Sequence, residues 1–407
     1  MPNSQILPGW DALSTERGLT VLEWASAQRI EGRSMAELNS ALRRQELSPD
    51  EVAAILTQVG LRNKAAAKFG ALASQLLFTQ AGLEQASRAR VSAHHAERFR
   101  AAGCARVADL GCGLGSESIA LLEAGITPLP VELDPLTARF AAHNLRVASG
   151  QAGLPAPSVR VGDAELLGAA NADGVFLDPA RRTAGHRDTR RVTSPDDYSP
   201  SLTFAFGFAS LLPTGIKLGP GFDRELIPDS AEAQWVSVDG QVVEMGLWFG
   251  AAAREGIRRS ALVLRGESDS FELTAPGDTA DVEVQALGEY LYEPDGAVIR
   301  ARLIGELARR IDAGMLSEGI AYMTSNRHVW TPFAQAFRIL EVLPAKEKEL
   351  RRALSDRGIG SLEIKKRGAN VDPAALRTRL KLRGENHATL FLTRVGDAHT
   401  ALLAERC

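Results

Sequence analysis

Cysteine is scarce in this chain of 407 residues: Cys104, Cys112 and Cys407 stand alone, without the paired spacing of a disulfide framework or a zinc site. Long apolar runs are missing too. No stretch reaches the eighteen consecutive apolar residues of a spanning helix. The opening MPNSQILPGW has neither the basic nor the apolar region of a secretory leader, so the expected location is the cytoplasm. Histidine numbers only 7. His94, His95 and His328 lack metal-ligand spacing and read as ordinary helix or loop residues, with no metal expected. Tandem repeats and low-complexity segments are absent.

What is present is a composition that folds. Hydrophobic residues make up 45%, enough for a large core divided between two or three domains. The formal net charge of −3 argues against a uniformly basic nucleic-acid binder, but it is unevenly spread. From residue 331 onward 15 Lys/Arg stand against 9 Asp/Glu, a net +6, which leaves −9 for residues 1–330. An acidic body with a basic tail suits a protein whose tail meets a polyanion, or one with a solvated basic face.

Residues 1–100 read as a helical domain. Val21, Trp24 and Ala25, then Val52, Ile55, Leu56 and Val59, fall at helical spacing, and Ser48-Pro49-Asp50-Glu51 is a helix start with a capping serine and proline at the first helical position. Residues 101–265 alternate short β-rich runs with helices, the pattern of a doubly wound, mostly parallel α/β sheet. Its strands are expected at 106–110, 127–132, 159–161, 174–177, 215–218, 233–238 and 260–264. Residues 266–330 read as a small connector, and 331–407 as a compact α+β module in the order β-α-β-α-β-β.

The most informative run is Val107-Ala108-Asp109-Leu110-Gly111-Cys112-Gly113-Leu114-Gly115, where a strand ends in a glycine turn that opens onto a helix. Such a turn brings bare backbone against a nucleotide-like ligand. Ser116 replaces the third glycine of the dinucleotide fingerprint, which favours a cofactor without pyrophosphate, such as S-adenosylmethionine. Acids end the next strands. Glu132 stands where a carboxylate accepts from both ribose hydroxyls, Asp134 suits the cap of the helix at Pro135, and Asp163 could accept from the adenine amine. The fourth strand ends in Asp178-Pro179-Ala180-Arg181, so Asp178 would orient or deprotonate a methyl acceptor. Arg181, Arg182, Arg187, Arg190 and Arg191 offer planar donors for phosphate or partners for nearby acids, and Tyr198 could stack on a base or anchor the loop. Lys217, in an apolar strand, needs a partner, for which Asp178 or a substrate oxygen is a candidate.

VADLGCGLG, VELDP, GDA, FLDPARR, DYSPSL and KLGPG together resemble the class I S-adenosylmethionine-dependent methyltransferases. Gly358–Gly368 and Leu382-Arg383-Gly384 are similar to the group of bacterial members with a C-terminal THUMP-like domain. The resemblance implies a Rossmann-like methyltransferase sheet, S-adenosylmethionine as cofactor and RNA as partner, bound through the Arg181–Arg191 loop and the tail. It implies Asp109, Gly111, Gly113, Glu132 and Asp163 around the cofactor, with Gln85 and Ser87 in the segment before it, and Asp178 lining the transfer site, where the residues' own chemistry adds Arg181 and Lys217. Adenine amino-methyltransferases carry a second proline and an aromatic after the fourth strand, and this chain has neither. A small-molecule or protein acceptor, or a non-catalytic RNA-binding relic, stands as the alternative.

Overall fold

A computed structural model describes residues 9–169, 171–181 and 198–407, with Arg181 placed by its backbone. The chain divides into two compact units. One runs to Leu218 and includes Leu247–Ala253; the other comprises Gly219–Gly246 and Arg254–Cys407.

The first unit begins with helices α1 (Glu16–Ile30), α2 (Met35–Leu42), α3 (Pro49–Phe69), α4 (Gln80–Gln85) and α5 (Ala89–Ala101). Ser34 with Glu37 and Ser48 with Glu51 form capping boxes at α2 and α3, each pair satisfying two helix-end donors reciprocally. Strands β1 (Arg106–Leu110), β2 (Thr127–Glu132), β3 (Arg160–Val161) and β4 (Gly174–Leu177) follow, interleaved with α6 (Ser116–Glu123), α7 (Pro135–Ala152) and α8 (Ala164–Leu167). After β5 (Ala180–Arg181), β6 (Tyr198–Ser199) and α9 (Leu202–Phe208) comes β7 (Thr214–Leu218). β1 pairs in parallel with β2 and β4, β2 with β3, and β4 with β7, giving the order β3-β2-β1-β4-β7. All four residues of β4 are buried, as a parallel strand covered on both faces requires. Strand order reverses between β1 and β4, so their carboxyl ends flank the crevice where open α/β sheets bind ligands.

The helical lead-in does not keep a core of its own. Leu22, Leu38, Ile55 and Phe78 belong to one buried cluster with Ile119 of α6 and Phe140 and Leu145 of α7. Within it, fully buried Asn144 accepts from the Leu77 amide at 2.8 Å and donates to the carbonyls of Leu77 and Leu114, each at 3.0 Å. One side chain thus ties the lead-in to the glycine turn.

In the second unit, β8 (Glu232–Val238) precedes β9 (Gln241–Phe249), whose last residues return to the first unit. β10 (Arg259–Arg265) pairs in parallel with β8 and antiparallel with β11 (Asp269–Ala275). A second sheet contains β12 (Tyr290–Pro294), β13 (Gly314–Met315), β14 (Met323–Ser325), β15 (Ala334–Leu343), β16 (Ile359–Lys366), β17 (Asn386–Val395) and β18 (Ala398–Arg406). Their order is β13-β14-β12-β15-β18-β17-β16. Helices α10 (Gly296–Arg300) and α11 (Ile304–Ile311) precede it in part, and α12 (Glu347–Asp356) and α13 (Pro373–Leu380) lie within the tail. The later part of the segment read as a connector is therefore built into this sheet, β12 pairing along β15 with Leu291 opposite Phe337, while β11 of the same segment pairs with β10. Among the described residues, no helix is long and apolar enough to cross a membrane.

Asn144→Ala leaves one buried donor and two buried acceptors unmatched, so urea unfolding should show a loss of about 3 kcal/mol. A loss below about 0.5 kcal/mol, the range of an ordinary surface substitution, would refute the clamp.

Candidate active site

The glycine turn sits at the carboxyl end of β1. Gly111, Gly113 and Gly115 have φ of 90°, 56° and 88°, left-handed values that glycine adopts without steric cost. A Cβ on Gly113 would meet nothing within 4 Å, so open space lies over that residue. The turn is held from the neighbouring strand: the amides of Gly111 and Cys112 both donate to the Val131 carbonyl at 2.9 Å. Cys112 itself is buried, and burial pushes its thiol well above the ordinary range, which removes it as a nucleophile.

Glu132, at the end of β2, accepts from the amides of Gly113 and Asp134, each at 2.9 Å. Burial raises its carboxyl, against the pull of those two amides. Asp134 caps α7, accepting from Thr137 at 2.8 Å, as its position before Pro135 foretold. Asp163 is exposed and caps α8, accepting from the Glu165 amide at 2.9 Å.

The carboxyl end of β4 carries the charged centre. Lys217 Nζ on β7 lies 2.5 Å from Asp178 Oδ2 and donates to Ser87 Oγ at 3.1 Å and the Gln85 carbonyl at 3.4 Å. Asp178, Lys217, Ser87 and Gln85 therefore come together, with Gln85 contributing backbone while its side chain faces solvent. The Asp178 carbonyl stands 3.9 Å from the position of a Gly111 Cβ, which places the pair beside the turn. Arg181 is held by its backbone opposite Tyr198. Tyr198 is buried. Arg182, Arg187, Arg190 and Arg191 lie outside the described residues.

Sequence reasoning missed four contributors. Glu117, in the first turn of α6, is buried; Ser92 Oγ donates to it at 2.9 Å, and His95 Nδ1 lies 3.0 Å from it. Burial would raise the Glu117 carboxyl, but His95, Lys217 and the Ser87 hydroxyl outweigh it and hold it at about 2. His95 in turn stacks on Phe176 with ring centroids 5.3 Å apart. Lys68 of α3 donates to the carbonyls of Leu83, Glu84 and Ala86 at 2.7, 2.9 and 2.7 Å, satisfying the end of α4 and fixing the segment that delivers Ser87. Asp109 has the opposite state to Glu117. Its burial, with Glu117 and Asp178 nearby, pushes it up to about 7 even though Ser118 donates to it at 2.6 Å. The carboxylates of Glu117 and Asp178 thus flank one ammonium, with Asp109 holding its proton up to about 7 beside them.

Comparison with known proteins is consistent with this arrangement. A family model described as THUMP domain-like matches residues 334–406, and one described as a domain of unknown function matches residues 7–65. Uncharacterized S-adenosylmethionine-dependent methyltransferases from two strains of Mycobacterium tuberculosis are each 35% identical over 345 residues, covering 83% of this chain and 91% of theirs. The crystal structure of a candidate methyltransferase from Porphyromonas gingivalis W83 shares the fold with a TM-score of 0.74. It is 22% identical, and the match covers 96% of this chain and 98% of the other.

Unfolded, Asp109 ionises near 4; folded, at about 7. The folded protein holds the extra proton between those values, so this residue makes stability fall as pH rises through that window. Asp109→Asn keeps a partner for Ser118 and removes the ionisation. Relative to the parent, its stability in urea should rise by about 2–3 kcal/mol between pH 5 and pH 8. Parallel pH profiles for the two proteins would rule out a buried, proton-holding Asp109.

Proposed function

The chain belongs to the S-adenosylmethionine-dependent methyltransferases, and from that premise we propose that it methylates a base in RNA. The observation that carries the RNA reading is the THUMP domain-like match over residues 334–406, supported by the net +6 of the tail. The domains then divide the work: the helical lead-in braces the glycine turn, the Rossmann-like sheet holds the cofactor, and the tail holds the polyanion.

The residues at the sheet fit S-adenosylmethionine on the geometry in hand. Open space over Gly113 admits a ligand to bare backbone. Bound there, the cofactor supplies a methyl group activated by its sulfonium. Glu132, pinned by two amides, keeps lone pairs for ribose hydroxyls. A cation bound nearby would favour the carboxylate form of Asp109, whose proton then leaves to solvent. Asp163 borders the same crevice at the end of β3, with one oxygen occupied by its helix cap. At the transfer end, Lys217 fixes the Asp178 carboxylate at 2.5 Å. Asp178 thereby presents an acceptor that orients an N–H of the incoming base, and alignment supplies much of the rate. Ser87 bridges Lys217 and Glu117, so the order of the ammonium extends to the helix that opens from the turn. Arg181 lies three residues beyond Asp178, its backbone paired with Tyr198.

The test is transfer of labelled methyl from the cofactor to RNA from cells lacking the gene, with modified nucleosides identified by mass spectrometry. Asp178→Ala should lower the rate at least about a hundredfold while cofactor affinity by calorimetry stays within a few-fold. Glu132→Ala should weaken cofactor binding by about tenfold or more. Transfer only to protein or a small molecule would overturn the RNA reading.

A further inference from the structure

Within the second unit, a pocket of about 430 Å³ is lined by Arg302, Arg367 and Arg394, with Asp281 as an acid at its wall. The volume lies in the ordinary range for small-ligand sites. The three arginines come from separate segments: Arg302 from the turn between α10 and α11, Arg367 from the end of β16, and Arg394 from the neighbouring β17.

Their acids do not saturate them. Among the described residues Arg302 has no ion-pair partner. Arg367 approaches Glu293 only at 4.0 Å, while Lys365 holds that carboxylate at 2.7 Å. Arg394 reaches the Glu318 carbonyl at 3.5 Å, and its Nε is buried without a hydrogen-bond partner among the described residues. A buried cationic donor left unmatched is costly, and an anion with several acceptor oxygens removes that cost.

The backbone is also bent to this arrangement. Arg302 has φ of 59°, an uncommon, strained state for a residue other than glycine, asparagine or aspartate. Gly368, with φ of 70°, lets the chain pass close beneath Ile320 and Arg394: a Cβ there would stand 2.5 Å from Ile320 Cδ1 and 3.5 Å from Arg394 Nε. Arg367 lies over the Tyr322 ring, 5.3 Å from its centroid, a cation-π contact that holds the guanidinium at the pocket wall.

We propose that this pocket is a phosphate-binding site that takes a phosphodiester of the RNA acceptor, an assignment that rests on the RNA reading above. Guanidinium groups match phosphate oxygens in planar, paired hydrogen bonds. A phosphate of the chain's substrate, held here, fixes register without reading sequence.

The experiment uses the full chain with two probes: a short labelled single-stranded RNA, followed by anisotropy across a KCl series, and inorganic pyrophosphate, followed by calorimetry. Arg302→Asn and Arg394→Gln should each weaken RNA binding about tenfold and lower the salt slope by about one. Asparagine suits the left-handed backbone, so Arg302→Asn should melt no lower than the parent, which separates loss of a ligand contact from loss of fold. If pyrophosphate binding depends on both arginines but RNA affinity does not, the pocket serves a free phosphate ligand and the phosphodiester assignment falls. If the parent binds pyrophosphate through these arginines but binds no RNA, the pocket stands and the RNA reading fails. Indifference of both probes to both substitutions overturns the site.

Discussion

The ammonium of Lys217 is the constraint on which the carboxyl end of the first unit's sheet depends. It is largely withdrawn from water, with a side-chain exposure of 12%, and a buried cation must be paired and hydrogen-bonded to be tolerated. Asp178 supplies the pair; Ser87 and the Gln85 carbonyl supply the remaining acceptors. These groups come from the end of β4 and from the link between α4 and α5. One charge therefore fixes the separation of two chain segments that the sheet alone would not hold together. The same charge helps keep Glu117 ionised and moderates the rise of Asp109, so neighbouring carboxyls of one cleft settle into opposite protonation states.

The parts of this arrangement that were legible in the sequence are those that a local pattern dictates. β1, β2 and β4 are short apolar runs ended by glycine or acid, and their bounds follow from that punctuation alone. The pairing of Lys217 with Asp178 was legible for a different reason: a lysine within an apolar strand needs an anion, and few were available at the strand ends. Glu117 and His95 gave no such signal. Each sits on a helix at a position that ordinary solvated residues occupy, and their burial arises only when α5 and α6 pack against the sheet. Lys68 was invisible because it satisfies the carbonyls of another helix, a tertiary contact with no trace in its own segment. Asp163 was legible as an acid at a strand end, yet its first duty is to cap α8.

The second unit shows how far a charge count can be taken. The net +6 of the tail resolves into arginines that already hold acids, Arg338 with Glu405, Arg357 with Glu341 and Arg379 with Glu347, and a smaller group that does not. Exposed pairs of that kind add little stability, but they remove their arginines from the field seen by a polyanion. Of the tail's cations outside those pairs, Arg367 and Arg394 line one pocket together with Arg302 from before the tail. The strands between residues 290 and 325 escaped the sequence for a related reason. β13 and β14 are two and three residues long, too short for any period to emerge, and β12 gains its meaning from β15, more than forty positions later.

The segment after Asp178 bears on what the enzyme can accept. Adenine amino-methyltransferases that the chain resembles stiffen this place with a second proline and face the base with an aromatic ring. Here Ala180 and Arg181 instead pair antiparallel with Ser199 and Tyr198, and Tyr198 is buried. Backbone pairing can supply the rigidity that a proline ring would give by fixing φ. It does not replace the flat apolar face. Asp178 is thus held twice, by Lys217 through its side chain and by the strand pair just beyond it, while the surface for the acceptor's ring is left to other residues. A site built in this way preserves the precision that methyl transfer needs without the second proline.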